Sequence, residues 1–249
     1  MRIRIVCKLL TETPVLEFSY KAKIRRFIYN SLDRYNKDRF SCIHDSKKIS
    51  VFSFSEITFN SGFHIDKTRG FVPKSKKFEF EISTFDQEII NSIKKRKSDF
   101  YNFEKNDFMF IVESVTDVEL EDVTSCDFYS EFLITRKNEE GHIISYMPDE
   151  SNFEKAFFNN LIKKYRHITG DVKKEFDISS MRLIIKNYIP GDKKYTGVEN
   201  YDNDDKKAHN FKYFKLNFEL ECPDILKKIA YILGVGEKNN SGFGFVKKV

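Results

Sequence analysis

Four of the ten glycines fall within eleven residues near the end of the chain, Gly234-Val-Gly-Glu-Lys-Asn-Asn-Ser-Gly-Phe-Gly244. They form two glycine–hydrophobic–glycine triplets separated by five mostly polar residues. Glycine this dense serves backbone conformations that a Cβ forbids, or a close approach of backbone to another group. Backbone N–H groups exposed in such a loop suit a polyanion, with Lys238 inside it and Lys247 and Lys248 just after. A dinucleotide-binding fingerprint is excluded, because its third glycine would fall at Asn239 and the loop follows a helical segment. A Walker A loop is excluded too, since no Gly-Lys-Ser/Thr occurs. A glycine-rich turn closing a sheet is the other reading of these residues.

The periodicity upstream sets the architecture around this loop. Ile3, Ile5, Cys7 and Leu9 alternate with Arg2, Arg4, Val6 and Lys8, so the chain opens as a strand. Tyr20, Ile24, Phe27, Ile28, Ser31 and Tyr35 trace the core stripe of a helix, with Tyr29 off that stripe beside Arg25 and Arg26. Ile49 to Phe59 reads as strand, and Lys77 to Ser83 as another with Phe78, Phe80 and Ile82 on one face. Thr84 with Gln87 predicts a capping box before a second helix, which ends in Lys94-Lys-Arg-Lys97 at the negative end of its dipole. Phe108 to Val112 completes the order β-α-β-β-α-β, a ferredoxin-like unit.

An acidic stretch, Glu119-Leu-Glu-Asp122, marks the expected boundary, giving domains over 1–122 and 123–249. The order then repeats. Phe128 to Thr135 and His142 to Tyr146 read as a hairpin turning at Glu139-Glu-Gly141, and Ser151 with Glu154 as the capping box of a helix through Phe157 and Leu161. Met181 to Ile189 and Phe214 to Leu220 are strands, Pro223 and Asp224 start the last helix, and Phe243 to Val249 is the closing strand. Pro190 to Asn210 is long for a hairpin loop and near neutral, so it reads as a solvated, mobile tip. The predicted fold is α+β, two tandem ferredoxin-like (RRM-like) domains.

Composition narrows the function classes. Charged residues at 33%, mixed in sign, and 26 Phe with 12 Tyr describe a chain with real cores rather than a disordered or membrane-spanning one. A net charge of +5 is compatible with RNA. Cys7, Cys42, Cys126 and Cys222 are scattered, without metal-binding spacing, which suits reduced thiols in a cytoplasmic protein. The first residues are too short and too charged for a signal peptide, and no apolar run reaches transmembrane length.

The G-h-G-x5-G-h-G arrangement resembles the glycine-rich loop of the repeat-associated mysterious protein (RAMP) superfamily. Within it, the chain is similar to the CRISPR endoribonucleases that cut repeat RNA in precursor transcripts. Supporting this are Ile28-Tyr29-Asn30 on the first helix, Ile43-His44-Asp45 in the next loop, and Phe52-Ser-Phe-Ser55 on the following strand. By its surroundings alone, His44 is an ordinary histidine in a polar loop with Lys47 and Lys48 close behind. The resemblance makes it the proton-transfer residue, a role suited to an imidazole. Tyr29 matches the tyrosine the family carries on its first helix; a phenol is a weak base, so positioning or hydrogen-bond donation is the role expected of it. The family's third residue is a lysine whose position, counted back from Phe52, falls here on Ser50. Lys48 is the nearest substitute and Lys47 the next. Of the other histidines, His209 is the reserve candidate, and no two have metal-ligand spacing.

The function this resemblance implies is metal-independent cleavage of CRISPR repeat RNA without a cofactor. The RNA's own 2′-hydroxyl attacks, leaving a 2′,3′-cyclic phosphate and a 5′-hydroxyl. RNA is expected across basic surface between and over the domains, contacting Arg25, Arg26, Lys47, Gly234, Gly236, Lys238, Gly242 and Gly244. The rival reading is a non-catalytic RNA-binding subunit of a CRISPR effector complex, whose other subunits would then be partners. Monomer and homodimer both remain open.

Overall fold

Residues 1–38, 40–41, 49–103, 108–124, 127–201 and 209–249 are described in the computed structural model. In it, the opening alternation becomes β1 (Arg2–Leu9), with Ile3, Ile5, Cys7 and Leu9 all buried. One unit comprises Met1–Leu120 and takes in Asn240–Gly242; the other comprises Glu121–Asn239 and Phe243–Val249.

In the first unit β1 leads to α1 (Tyr20–Tyr35), whose Ile24, Phe27, Ile28 and Leu32 are buried against the sheet. The strand expected over Ile49–Phe59 is two short pieces, β2 (Phe52–Phe54) and β3 (Thr58–Phe59). A hairpin that the periodicity did not announce follows, β4 (Phe63–Asp66) with β5 (Gly70–Pro73). Then come β6 (Lys77–Thr84), α2 (Gln87–Lys94), a short β7 (Phe100–Asn102) and β8 (Met109–Asp117). The sheet order is β2-β6-β1-β8-β7, with β3 also paired to β6 and all pairs antiparallel. Phe78, Phe80 and Ile82 of β6 are fully buried beside Phe108, Phe110 and Val112. Each such side chain contributes about 1.5–3 kcal/mol by leaving water.

The cap of α2 is not the one expected. Asp86 is the N-cap, its carboxylate accepting from the Glu88 N–H at 3.0 Å. The Thr84 hydroxyl instead donates to the Val51 carbonyl at 2.7 Å, tying β6 to the residue before β2. The basic helix end is also more than a dipole partner. Arg96 is buried, bonded to Asp99 at 3.0 Å, and lies 4.6 Å from the Tyr101 ring centroid.

The second unit repeats this plan. β9 (Phe128–Phe132) precedes a separate small hairpin, β10 (Thr135–Lys137) and β11 (Ile143–Ser145). The expected single strand through Thr135 therefore breaks after Phe132. Next are α3 (Phe153–Thr169), β12 (Arg182–Ile185), β13 (Thr196–Tyr201), β14 (His209–Glu221), α4 (Asp224–Leu233) and β15 (Lys247–Lys248). The order β12-β14-β9-β15 matches β2-β6-β1-β8 element for element, so both units are ferredoxin-like. Phe132, Phe157 and Phe218 pack ring against ring in its core, with centroids 5.6–6.0 Å apart.

Two expectations are corrected here. Thr196–Tyr201, placed in a mobile tip by composition, is a strand paired along β14 from Phe214 to His209. Glu154 does not close a capping box; its carboxylate accepts from the Leu183 N–H at 2.8 Å, and the N-cap Asn152 makes no side-chain capping bond. Of the cysteines, Cys7 and Cys222 are free, and burial raises both thiols, Cys222 to about 11. No described helix is long and apolar enough to cross a membrane.

Candidate nucleic-acid interface

The spacing of the glycine loop has a structural cause within the second unit. Gly234 ends α4 with φ 82°, and the Val235 N–H donates to the Gly244 carbonyl at 2.9 Å, so the two triplets lie against each other. Asn239, only 1% exposed, sits between them, its side-chain N–H group donating to Val235 O at 2.8 Å and Phe243 O at 3.0 Å. A Cβ on Gly234 would stand 2.5 Å from Gly244 O and 2.9 Å from Asn239 Nδ2. The central residues of the triplets, Val235 and Phe243, are buried anchors. The next limb is pinned as well: the Glu237 N–H donates to Leu133 O at 2.9 Å, and its carboxylate accepts from the Thr135 hydroxyl at 2.7 Å.

A buried cation lies beneath this lattice. Lys164 of α3 donates to Gly234 O at 2.7 Å and to Gly236 O at 2.8 Å. Burial pushes its ammonium down to about 7, with Glu237 opposing the shift. Lys164 is not among the candidate residues of the sequence analysis. The signal was there: it follows Phe157 and Leu161 on the buried stripe, where a lysine needs a partner.

Within the first unit, a further group of residues lies along the Asn240–Gly242 segment. α1 presents Lys21, Arg25 and Tyr29 one turn apart along the Asn240–Gly242 segment. The Asn240 side chain donates to the Tyr29 hydroxyl at 3.1 Å, and the Arg25 guanidinium to Ser241 Oγ at 3.2 Å. The Tyr29 ring packs edge-on against Phe52 and Phe40, centroids 5.7 and 6.1 Å away. Tyr29, although off the core stripe of α1, is thus half-buried and held. Arg26 is exposed and off this stripe.

His44, Lys47 and Lys48 lie outside the described residues. Their chain neighbours, however, border the cluster: Phe40 on one side touches Tyr29, and on the other Ser50 Oγ accepts from the Asn240 N–H at 3.3 Å. Ser50, where the family pattern calls for lysine, therefore contacts the loop tip through a hydroxyl. The remaining histidines are elsewhere, His64 on β4, His142 beside Glu140 on the β10–β11 turn, His167 at the end of α3 and His209 at the start of β14. Among the described residues no group of three or more His, Cys, Asp or Glu could hold a metal ion.

At Gly242, itself part of the first unit, there is no room for a side chain. Its φ is +87°, and a Cβ there would meet the Phe54 ring at 2.8 Å and Lys21 Cδ at 3.0 Å. Gly242→Val should therefore destabilise the protein by about 1–3 kcal/mol of backbone strain, with the clash against Phe54 in addition, and should weaken RNA retention at the same time. Gly141→Val is the control: it carries the same positive-φ strain with nothing within 4 Å, so it should lose less stability and keep RNA retention. Urea midpoints and RNA titrations check this; a Gly242→Val protein that binds RNA normally and fails only in cutting would contradict the role given to the loop.

Residues 126–248 match the family model described as CRISPR associated protein Cas6, C-terminal. Among solved structures, one described as CRISPR associated protein Cas6 is 19% identical, with 100% of this chain and 99% of that one covered and a TM-score of 0.76. An RAMP protein binding different RNA substrates is 18% identical, covers 100% and 99%, and has a TM-score of 0.80. A Cas6-related protein from Pyrococcus furiosus is 18% identical, covers 100% and 98%, and has a TM-score of 0.79. These structural likenesses show the fold. No curated protein matches the sequence. Residues 126–248 thus carry the match to the Cas6 C-terminal family, and the chain along its whole length shares the fold of solved proteins described as Cas6 and RAMP proteins.

Proposed function

We propose that this protein is a metal-independent endoribonuclease that binds CRISPR repeat RNA and cuts it in precursor transcripts. The observation that carries the reading is the cluster in which Tyr29 and Arg25 of α1 engage Asn240 and Ser241 at the tip of the glycine loop. Phe40 and Ser50, which flank His44 and Lys48 in sequence, contact Tyr29 and Asn240 of that cluster. Solved relatives with TM-scores of 0.62 and 0.55 are described as Cas6 product complexes, which supports the same substrate class.

The chemistry needs few protein groups. A base takes the proton of the 2′-hydroxyl, whose oxygen bonds to the adjacent phosphorus; the P–O5′ bond breaks, and an acid protonates the departing oxygen. The products are a 2′,3′-cyclic phosphate and a 5′-hydroxyl. We assign proton transfer to His44, placement of the nucleophile or donation to the phosphate to Tyr29, and charge stabilisation of the phosphorane to Lys48, with Lys47 second. Arg25, Arg26, Lys238 and the loop backbone at Gly234, Gly236, Gly242 and Gly244 serve RNA retention. Arg25 and Gly242 lie where the cluster supports this; Gly234 and Gly236 act through the conformation they allow.

The deciding experiment is incubation of the protein with the repeat RNA of its host, with and without EDTA. Cleavage that persists in chelator, with cyclic phosphate ends, is the expected result. Activity lost to EDTA and restored by magnesium would overturn the mechanism. Tight binding without cleavage under any condition would favour the non-catalytic effector subunit.

A further inference from the structure

The glycine loop owes its conformation to more than glycine. Its carbonyls turn inward: Val235 O and Phe243 O to Asn239, Gly244 O to the Val235 N–H, and Gly234 O and Gly236 O to one ammonium. That last pair is costly to arrange, since a lysine has been taken wholly out of water at 3% exposure to satisfy it. Thr135 engages the Glu237 carboxylate through its N–H and hydroxyl, so the nearest acid has partners of its own. An apolar residue would fill the same stripe position of α3 at less cost to folding, which leaves the two carbonyls as the reason for an amine there.

We infer that Lys164 is the positioning residue of the glycine-rich loop, fixing Gly234 and Gly236 in the conformation through which the loop retains RNA. This rests on the RNA-binding reading above. Lys164 acts through the loop and touches no phosphate, being enclosed beneath it. Its role does not depend on charge: an amine that has lost one proton still carries two N–H groups, enough for both carbonyls. This separates it from Lys238, on the loop itself, whose contribution would be direct attraction to phosphate.

The test uses the full chain and repeat RNA carrying 2′-deoxyribose at the mapped cleavage position, so that binding is read without cutting. Lys164→Met should fold cooperatively, lose amide-exchange protection in residues 234–244 while β6 and β14 keep theirs, and bind RNA at least about tenfold more weakly. Its log–log salt slope should equal the parent's. Lys238→Met should lower that slope by about one, as loss of a phosphate contact does. Lys164→Gln, which keeps an N–H pair, should lie between Lys164→Met and the parent. A folded Lys164→Met that binds as tightly as the parent, or whose slope falls as in Lys238→Met, overturns the inference alone. If Lys164→Met does not fold, Lys164→Gln decides by the same readouts; if neither folds, the residue serves folding only and the inference fails. A parent that binds no repeat RNA overturns the functional reading and this inference together.

Discussion

His44→Ala should slow single-turnover cleavage of bound repeat RNA by roughly 10²–10⁴-fold, the usual worth of a positioned acid or base. Affinity should stay within a few-fold of the parent, because a neutral imidazole supplies little of the charge that dominates phosphate binding. The neighbouring substitutions should separate by mechanism. Tyr29→Phe removes one hydroxyl, and with it the bond from Asn240, but keeps the ring against Phe52 and Phe40; it should cost less than His44→Ala. Lys48→Ala should lower both the rate and the salt slope, since a cation acts on the bound phosphate and on the transition state alike. Rapid-quench kinetics and salt-dependent titrations give both readouts. An active parent whose His44→Ala variant cuts at full rate would keep the endoribonuclease and discard this site, with His209 the next residue to change.

Replacing the scissile nucleotide by its 2′-deoxy analogue should abolish cleavage altogether while leaving binding nearly intact. The effect is larger than that of any single side chain, because it removes the nucleophile rather than a catalyst of its attack. Every phosphate remains, so the counterion term in affinity is unchanged. Denaturing gels and competition binding measure the two arms. Cutting at the deoxy position would mean that water attacks the phosphate, and the roles assigned to His44 and Tyr29 would then have to be rebuilt.

Much of the fold was legible in the chain. Strands β1, β6 and β14 alternate apolar and polar residues because one face of each is covered by helices, and that period survives in the sequence whatever the neighbouring strand is. The helix of Tyr20–Tyr35 and the last helix after Pro223 were read for the same reason. Short edge elements were not. The β4–β5 hairpin has exposed Phe63, His64 and Ile65, so no alternation marks it, and β13 lies in a stretch whose composition is that of a loop. The capping boxes at Thr84 and Ser151 misled because a side chain's bond is chosen by whatever reaches it in space. Thr84 found Val51, and Glu154 found Leu183.

For the candidate site, the sequence by itself determined the two glycine triplets, the order of elements that carries them, and the residue types facing an RNA chemistry. Only the tertiary structure decided that Asn239 braces the triplets, that Lys164 holds Gly234 and Gly236 from below, and that Asn240 meets Tyr29. These bonds join residues up to 211 positions apart. Periodicity records which face of an element leaves water, a property of a few consecutive residues. A hydrogen bond records where two distant backbones arrive, and no local pattern carries that.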